Sequence, residues 1–411
     1  MHDLLKILLV FGLIITLLKF KWHLGGVMLI GAAALGLLMR MTPLAILLSA
    51  WHASIDLESD SLIAAFALIM VLENQLRTTE TLKKMVESLK RLSGDQRIVM
   101  ALMPAIVGIL PSAGGAYFSA PMVQSTSEGE NISPRRKSFI NYWFRHIWEY
   151  ISPLYPGFLL LVHMSGAHME SIFLHTIFLT LTVLLTGALF AFRGVGRGRS
   201  YGAGRGGGEA VLSVTKSQDI RTLAVTFSPI LVVMILVMLF KVDIAIALGV
   251  VVAGLFVYFR YSIKRVFRTF RESITWKSLL LVWGVVVFSA VMQNSGAVRT
   301  LPVFFKAEGI PVLAIIFFLP FLVGMITGIT LAYVGITFPL VVPLIGGTHA
   351  DLGMLAFAYA AGFAGIMFSP VHLCLVLTKD YFKSDILPIF RIMLVPELIV
   401  LAVALGEALL F

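Results

Sequence analysis

Residues 98–127 read IVMALMPAIVGILPSAGGAYFSAPMVQSTS, and their interpretation decides the fold. The stretch is apolar except at its centre, where Pro111-Ser112-Ala113-Gly114-Gly115 interrupts it. Proline removes a backbone donor and glycine admits positive φ, so a helix must open there. Basic residues bracket the stretch, Arg97 before it and Arg135 to Lys137 after it, so both flanks return to one face. That describes a re-entrant helical hairpin with its tip at membrane depth. A kinked helix with packing glycines is the competing description. Open backbone survives in hydrocarbon only when buried in protein or lining an aqueous cavity.

The same design recurs downstream at residues 311–346, with a tip near Thr327-Gly328-Ile329-Thr330. Pro104, Gly108, Ala116 and Tyr117 return as Pro320, Gly324, Ala332 and Tyr333, each offset by 216. Tyr142 and Ser152-Pro153 return as Tyr359 and Ser369-Pro370, offset by 217, and Asn74 returns as Asn294, offset by 220. A repeat this long is half of a pseudo-symmetric domain rather than a solenoid unit. In a membrane protein it points to a transporter.

Composition places the chain in a bilayer. Hydrophobic residues make up 59% of it, charged residues 13%, and mean hydropathy is +0.95. Apolar runs long enough to cross about 30 Å of hydrocarbon recur throughout. Crossings are expected near 4–20, 24–40, 60–76, 139–162, 170–192, 222–240, 243–259, 278–294, 353–378 and 386–410. Alternating ten-residue strands are absent, which argues against a β-barrel. The expected class is therefore an all-α polytopic membrane protein of about ten transmembrane helices plus two re-entrant hairpins. The single cysteine, Cys374, sits in an apolar run and has no partner for an intramolecular disulfide. The first apolar run lacks a small-residue cleavage site and reads as a retained helix rather than a signal peptide.

The net charge of +10 is a matter of topology, not of nucleic acid. Most Lys and Arg fall at Lys19/Lys21, Arg77–Arg97, Arg135–Lys137, Arg193–Arg221, Arg260–Lys277 and Lys379–Lys383. The positive-inside rule puts all of these on the cytoplasmic side of the membrane, with both termini outside. Contact with anionic lipid follows; nucleic acid is not an expected partner. Five crossings per half then make the halves inverted repeats, 1–193 and 220–411. The tract 194–219, rich in Gly and Arg at its start, joins them as a cytoplasmic linker; an RGG-like RNA contact is the sharper alternative. Residues 81–92 and 261–276 read as basic amphipathic helices lying at the interface.

The crossing after each hairpin is also interrupted, by Ser152-Pro153 in NYWFRHIWEYISPLYPG and by Ser369-Pro370 in AYAAGFAGIMFSPVHLC. Serine hydroxyls and freed carbonyls beside such breaks suit substrate oxygens or cations, and half-helix N-termini suit anions. Two tips and two breaks meeting near the midplane would form one enclosed site. Its candidate members are Ser112, Gly114, Gly115, Arg145, His146, Glu149, Ser152, Thr327, Gly328, Thr330, Ser369 and His372, with Pro153 and Pro370 shaping the breaks. Arg145 and Glu149, four apart, are expected to share a helical face. They are either a buried ion pair clamping the helix, or an anion-binding arginine beside a proton carrier, Glu149 or His146. Charge at the bilayer centre costs about 2.5–3.5 kcal/mol, so it has a partner or a function. Glu73, Asn74 and Asn294 are candidate supports for the tips. Arg391 and Glu397 read as packing or snorkelling residues.

The order hairpin, broken helix, crossing, repeated in inverted form, resembles the ion-transporter superfamily. That group includes divalent-anion:sodium symporters, gluconate-type permeases and TRAP large membrane subunits. GILPSAGGAYFSAPMV, NYWFRHIWEYISPLYPG and FSPVHLCLVLT resemble an uncharacterised prokaryotic membrane family within it. The resemblance implies elevator-type carriage of organic anions, often sodium-driven, by a homodimer. Symporter-type members carry Ser-Asn-Thr at both tips; here Ser112 and the threonines offer the comparable hydroxyls. A secondary transporter of a small organic anion, coupled to Na⁺ or H⁺, is the leading expectation. No cofactor is expected, and no metal beyond a transported Na⁺. A subunit of a partner-dependent complex or a receptor is the alternative. An intramembrane enzyme is disfavoured by the absence of His-Glu-x-x-His and of paired intramembrane aspartates.

Overall fold

The computed structural model describes residues 2–93, 95–111, 115–128, 130–193, 215–297, 305 and 308–410. Ser112, Gly114 and linker residues 194–214 lie outside them. The described residues form nineteen α-helices and one 3₁₀ turn, with no strand. Among the described residues, four helices have the length and apolarity to cross a membrane: α10 (Met169–Ala191), α11 (Lys216–Met238), α14 (Trp276–Asn294) and α19 (Ile386–Leu410). On α10, Leu174, Phe178, Leu181, Leu185 and Leu189 face outward at helical spacing while Thr176, Leu179 and Val183 face inward. An apolar stripe on the outer surface is what lipid solvates.

The helices pack as two groups. The first comprises α1 (His2–Lys19), α2 (Leu24–Leu38), α3 (Pro43–Ser54), α4 (Leu57–Thr78), α5 (Thr81–Leu92), α11, α12 (Ile244–Tyr258), α13 (Ile263–Ser273) and α14. Here α2 lies on α14 through glycines. A Cβ on Gly25 would stand 2.5 Å from Leu280 O, and one on Gly284 2.5 Å from Gly25 O. Small residues let membrane helices approach this closely. The amphipathic arm α5 is tied to α11 by Arg91, whose guanidinium donates to both Asp219 oxygens at 2.7–3.1 Å.

Three details at this level were not anticipated. The crossing at 24–40 is a fifteen-residue helix, α2, about 22 Å long. It is followed by α3, which went unanticipated because an apolar twelve-residue segment is too short to read as a span. The linker also ends sooner than expected. Thr215 and Gln218 form a reciprocal capping box, so α11 begins at Lys216.

The second group holds α6 (Gln96–Val107), α7 (Gly115–Thr126), α8 (Pro134–Arg145), α9 (Pro156–Ser165) and α10 from the first half. From the second half it holds α15 (Val312–Thr327), α16 (Thr330–Leu344), α17 (Leu352–Met367), α18 (Leu373–Phe382) and α19. Pairs α6/α7 and α15/α16 are the two helical hairpins. Each leans on the broken helix that follows it by the same device. Gly108 admits the carbonyl of Arg145, and Gly324 admits that of Gly362; a Cβ at either glycine would collide with that oxygen.

A candidate site where two broken helices meet

The first break is longer than Ser152-Pro153 suggests. Helix α8 stops at Arg145, residues 146–155 run in turns, and α9 starts with Pro156 in its first turn. A proline frees the carbonyl four residues before it. Pro153 frees Glu149 O, which accepts the Tyr359 hydroxyl at 3.0 Å. Pro156 frees Ser152 O, which accepts Tyr155 N–H at 3.0 Å. Because the helix ends at Arg145, Arg145 and Glu149 do not share a helical face; that expectation fails for want of a helix between them.

The second break spans 368–372, between α17 and α18. Tyr142 on α8 donates its hydroxyl to the loosened end of α17, at 3.3 Å from Met367 O and 3.5 Å from Ile366 O. The repeat-related tyrosines thus work crosswise, each capping the carbonyls of the other half's break. Both are buried, where an unpaired carbonyl costs about 1–3 kcal/mol.

The tip of the second hairpin touches both breaks. Gly328 takes φ 63, and a Cβ there would lie 3.0 Å from the His372 backbone and 3.1 Å from Ser369 Oγ. Its carbonyl lies 2.7 Å from His372 Nδ1. The Thr330 hydroxyl donates to Glu149 Oε2 at 3.5 Å, and its methyl fills the space left by Gly157. Thr327 instead turns back to Val323 O, 2.7 Å away. The second arm of the first hairpin is fastened by Asn141, which donates to Ala116 O at 3.0 Å and Thr378 Oγ1 at 2.9 Å; Gly115, its first residue, is buried.

Arg145, His146, Glu149, Ser152 and Ser369 are all buried here. The serine hydroxyls accept local N–H groups, Ser152 from Leu154 at 3.3 Å and Ser369 from Val371 at 3.4 Å. The Arg145 guanidinium faces the Cys374 sulfur, with Glu149 and Glu73 in electrostatic range. His146 Nε2 lies 3.2 Å from His372 Nε2. Ten-residue helices α9 and α18 present their N-termini to this region.

Other candidates lie elsewhere. Asn294 donates to Ser49 Oγ of α3 at 3.0 Å, and Asn74 lines a surface cleft with Tyr261, Arg265 and Arg268. Arg391 is exposed, as a snorkelling residue is, whereas Glu397 is buried in electrostatic range of Tyr142 and Tyr150, and its Oε1 has no hydrogen-bond partner among the described residues. Six residues apart, the two lie about a third of a turn from each other on the helix, so one faces out and the other packs inward. Sequence reasoning also passed over Asn141 and Cys374. The signal for Cys374 was its place two residues after His372.

Fold and site define a polytopic all-α membrane protein organised around discontinuous helices. The chain belongs to the family described as "Protein of unknown function (DUF401)", which matches residues 4–410. No curated protein matches it by sequence. Among solved structures it is similar to the Alcanivorax borkumensis YdaH transporter, described as having an unusual topology. The TM-score is 0.57, with 14% identity over 85% of this chain and 84% of that one. At that identity the likeness is one of fold.

Proposed function

We propose that the protein is a secondary active transporter of a small organic anion, a carboxylate, coupled to Na⁺ or H⁺. The observation that carries this reading is the meeting of two broken helices and a hairpin tip around buried Arg145. Arginine supplies a fixed positive charge with planar donors suited to a carboxylate. The N-termini of α9 and α18 add their positive dipole ends. Asn141 Oδ1, Tyr150 Oη and Glu397 Oε1 are buried close by with no protein partner; such atoms call for a ligand or water. Glu149, bonded at its carboxylate only by the Thr330 hydroxyl among the described contacts, is the proton-carrier candidate.

The two helix groups support an elevator-type cycle, the second carrying the site past the first. The crosswise tyrosines and the matched Gly108 and Gly324 contacts support two inverted repeats within the ion-transporter superfamily. A homodimer in a prokaryotic plasma membrane, termini outside, completes the proposal.

The test is uptake by the purified chain in liposomes, across mono-, di- and tricarboxylates, in Na⁺ or K⁺, at two pH values. Uptake of one anion class, reduced at least tenfold by Arg145→Ala, is the expected outcome. Uptake unchanged by that substitution would remove Arg145 from the site. No uptake of any anion by the single chain would shift the reading to a partner-dependent subunit.

A further inference from the structure

His146, His372 and Cys374 come together from opposite halves of the chain. His146 follows the last residue of α8, His372 precedes α18, and Cys374 lies in the first turn of α18. One ligand atom from each lies within 4.8 Å of the others. The hydrogen bonds decide the tautomers. His146 Nδ1 is 2.6 Å from Tyr142 O, and His372 Nδ1 is 2.7 Å from Gly328 O. A carbonyl only accepts, so each Nδ1 carries the proton, and in a neutral imidazole each Nε2 then holds a lone pair. Yet these two Nε2 atoms face each other at 3.2 Å. Two lone pairs at that separation repel unless an electrophile joins them.

The geometry points to a thiophilic transition-metal cation of the Zn²⁺ class, bound by His146 Nε2, His372 Nε2 and Cys374 Sγ. A shared proton would satisfy the two imidazoles but would not account for a thiol and two imidazoles converging from opposite halves of the chain. Thiolate and imidazole together select Zn²⁺-type ions over Na⁺ or Mg²⁺. Each histidine donates Nδ1–H to a backbone carbonyl, the arrangement that fixes tautomer and ring orientation in metal-bound histidine. Bond lengths of about 2.0–2.1 Å to nitrogen and 2.3 Å to sulfur put tetrahedral ligand atoms about 3.3–3.6 Å apart. The imidazole pair, at 3.2 Å, is close to that spacing, and the sulfur, within 4.8 Å of both, draws in on binding. Binding deprotonates the thiol and releases that proton to solvent. The thiolate and the Glu149 carboxylate offset the ion and Arg145, leaving a net positive charge. With three protein ligands, the fourth position stays open to water or an anion. While the ion is bound, His146 does not carry protons, which leaves Glu149 for that role.

The test uses the full-length protein in detergent, stripped with a chelator and titrated with Co²⁺ and Zn²⁺. One Co²⁺ per chain should bind with tetrahedral d–d bands and a sulfur-to-metal charge-transfer band. That band should vanish in Cys374→Ser, and Zn²⁺ affinity should fall at least tenfold in Cys374→Ser and in His372→Gln. X-ray absorption of the zinc-loaded wild type should give nitrogen near 2.0–2.1 Å and one sulfur near 2.3 Å; this needs no variant to fold. No binding, or a zinc shell without sulfur, overturns the proposal, as does affinity unchanged in both variants. The ion site stands or falls independently of uptake: metal binding without transport leaves it intact, and transport without metal binding refutes it alone.

Discussion

At the residue scale, the breaks were readable and their caps were not. Pro153, Pro156 and Pro370 remove backbone donors wherever they occur, so the carbonyls they free follow from local chemistry. What takes up those carbonyls depends on a contact between halves that no spacing reveals. Tyr142 and Tyr359 were visible as a repeated identity, but their crosswise bonds emerge only when α8 and α17 are packed together. Cys374 was hidden for the same reason. It looks inert in its own apolar helix and gains meaning only beside His146. The tyrosine caps carry a direct prediction. Tyr359→Phe removes the donor to Glu149 O and leaves a buried carbonyl unpaired, so it should destabilise by about 1–3 kcal/mol. Tyr142→Phe should cost less, because its bonds at 3.3 and 3.5 Å are longer. Thermal unfolding of the two variants in detergent checks the order; equal losses, or none, would mean the hydroxyls are not the caps.

At the element scale, hairpins and broken helices are legible because proline and glycine interrupt apolar runs at matched places. Helix length was less so: α3 escaped notice, since a short apolar helix leaning on α14 needs no span-length run. The close crossings depend on single glycines. Gly324 lies against the Gly362 carbonyl and Gly365 against that of Phe321, so α15 and α17 touch backbone to backbone. Gly324→Ala places a methyl on a backbone oxygen that cannot rotate away. Overpacking costs about 1–3 kcal/mol where side chains yield, and the upper part of that range or beyond applies here. Gly12→Ala, with nothing within 4 Å of its Cβ, is the control. Size-exclusion chromatography and thermal unfolding should show a large loss for Gly324→Ala and none for Gly12→Ala. An undisturbed Gly324→Ala protein would mean that α15 and α17 can separate without cost.

At the scale of the whole molecule, composition and the charge pattern are global properties written along the chain, which is why the all-α membrane class was accessible from sequence. The division into two helix groups was not, because it is set by which faces pack. Contacts between the groups are few, and one of them is small and apolar. Gly335 of α16 meets Val285 of α14, so that a Cβ on Gly335 would lie 3.2 Å from Val285 Cβ. An elevator cycle requires α16 to slide along α14, which such a contact permits and a covalent bond forbids. A Gly335→Cys/Val285→Cys pair starts near the Cβ separation of about 3.5–4.5 Å that disulfides adopt, and Val285→Cys removes the methyls that would crowd it. Oxidation should then stop uptake in liposomes while stabilisation by the transported anion persists, because the site lies within the second group. Reduction should restore uptake. Full cross-linking with undiminished uptake would show that the two groups do not move past each other at this contact, and the alternation would have to be sought inside the second group, between its hairpins and its broken helices.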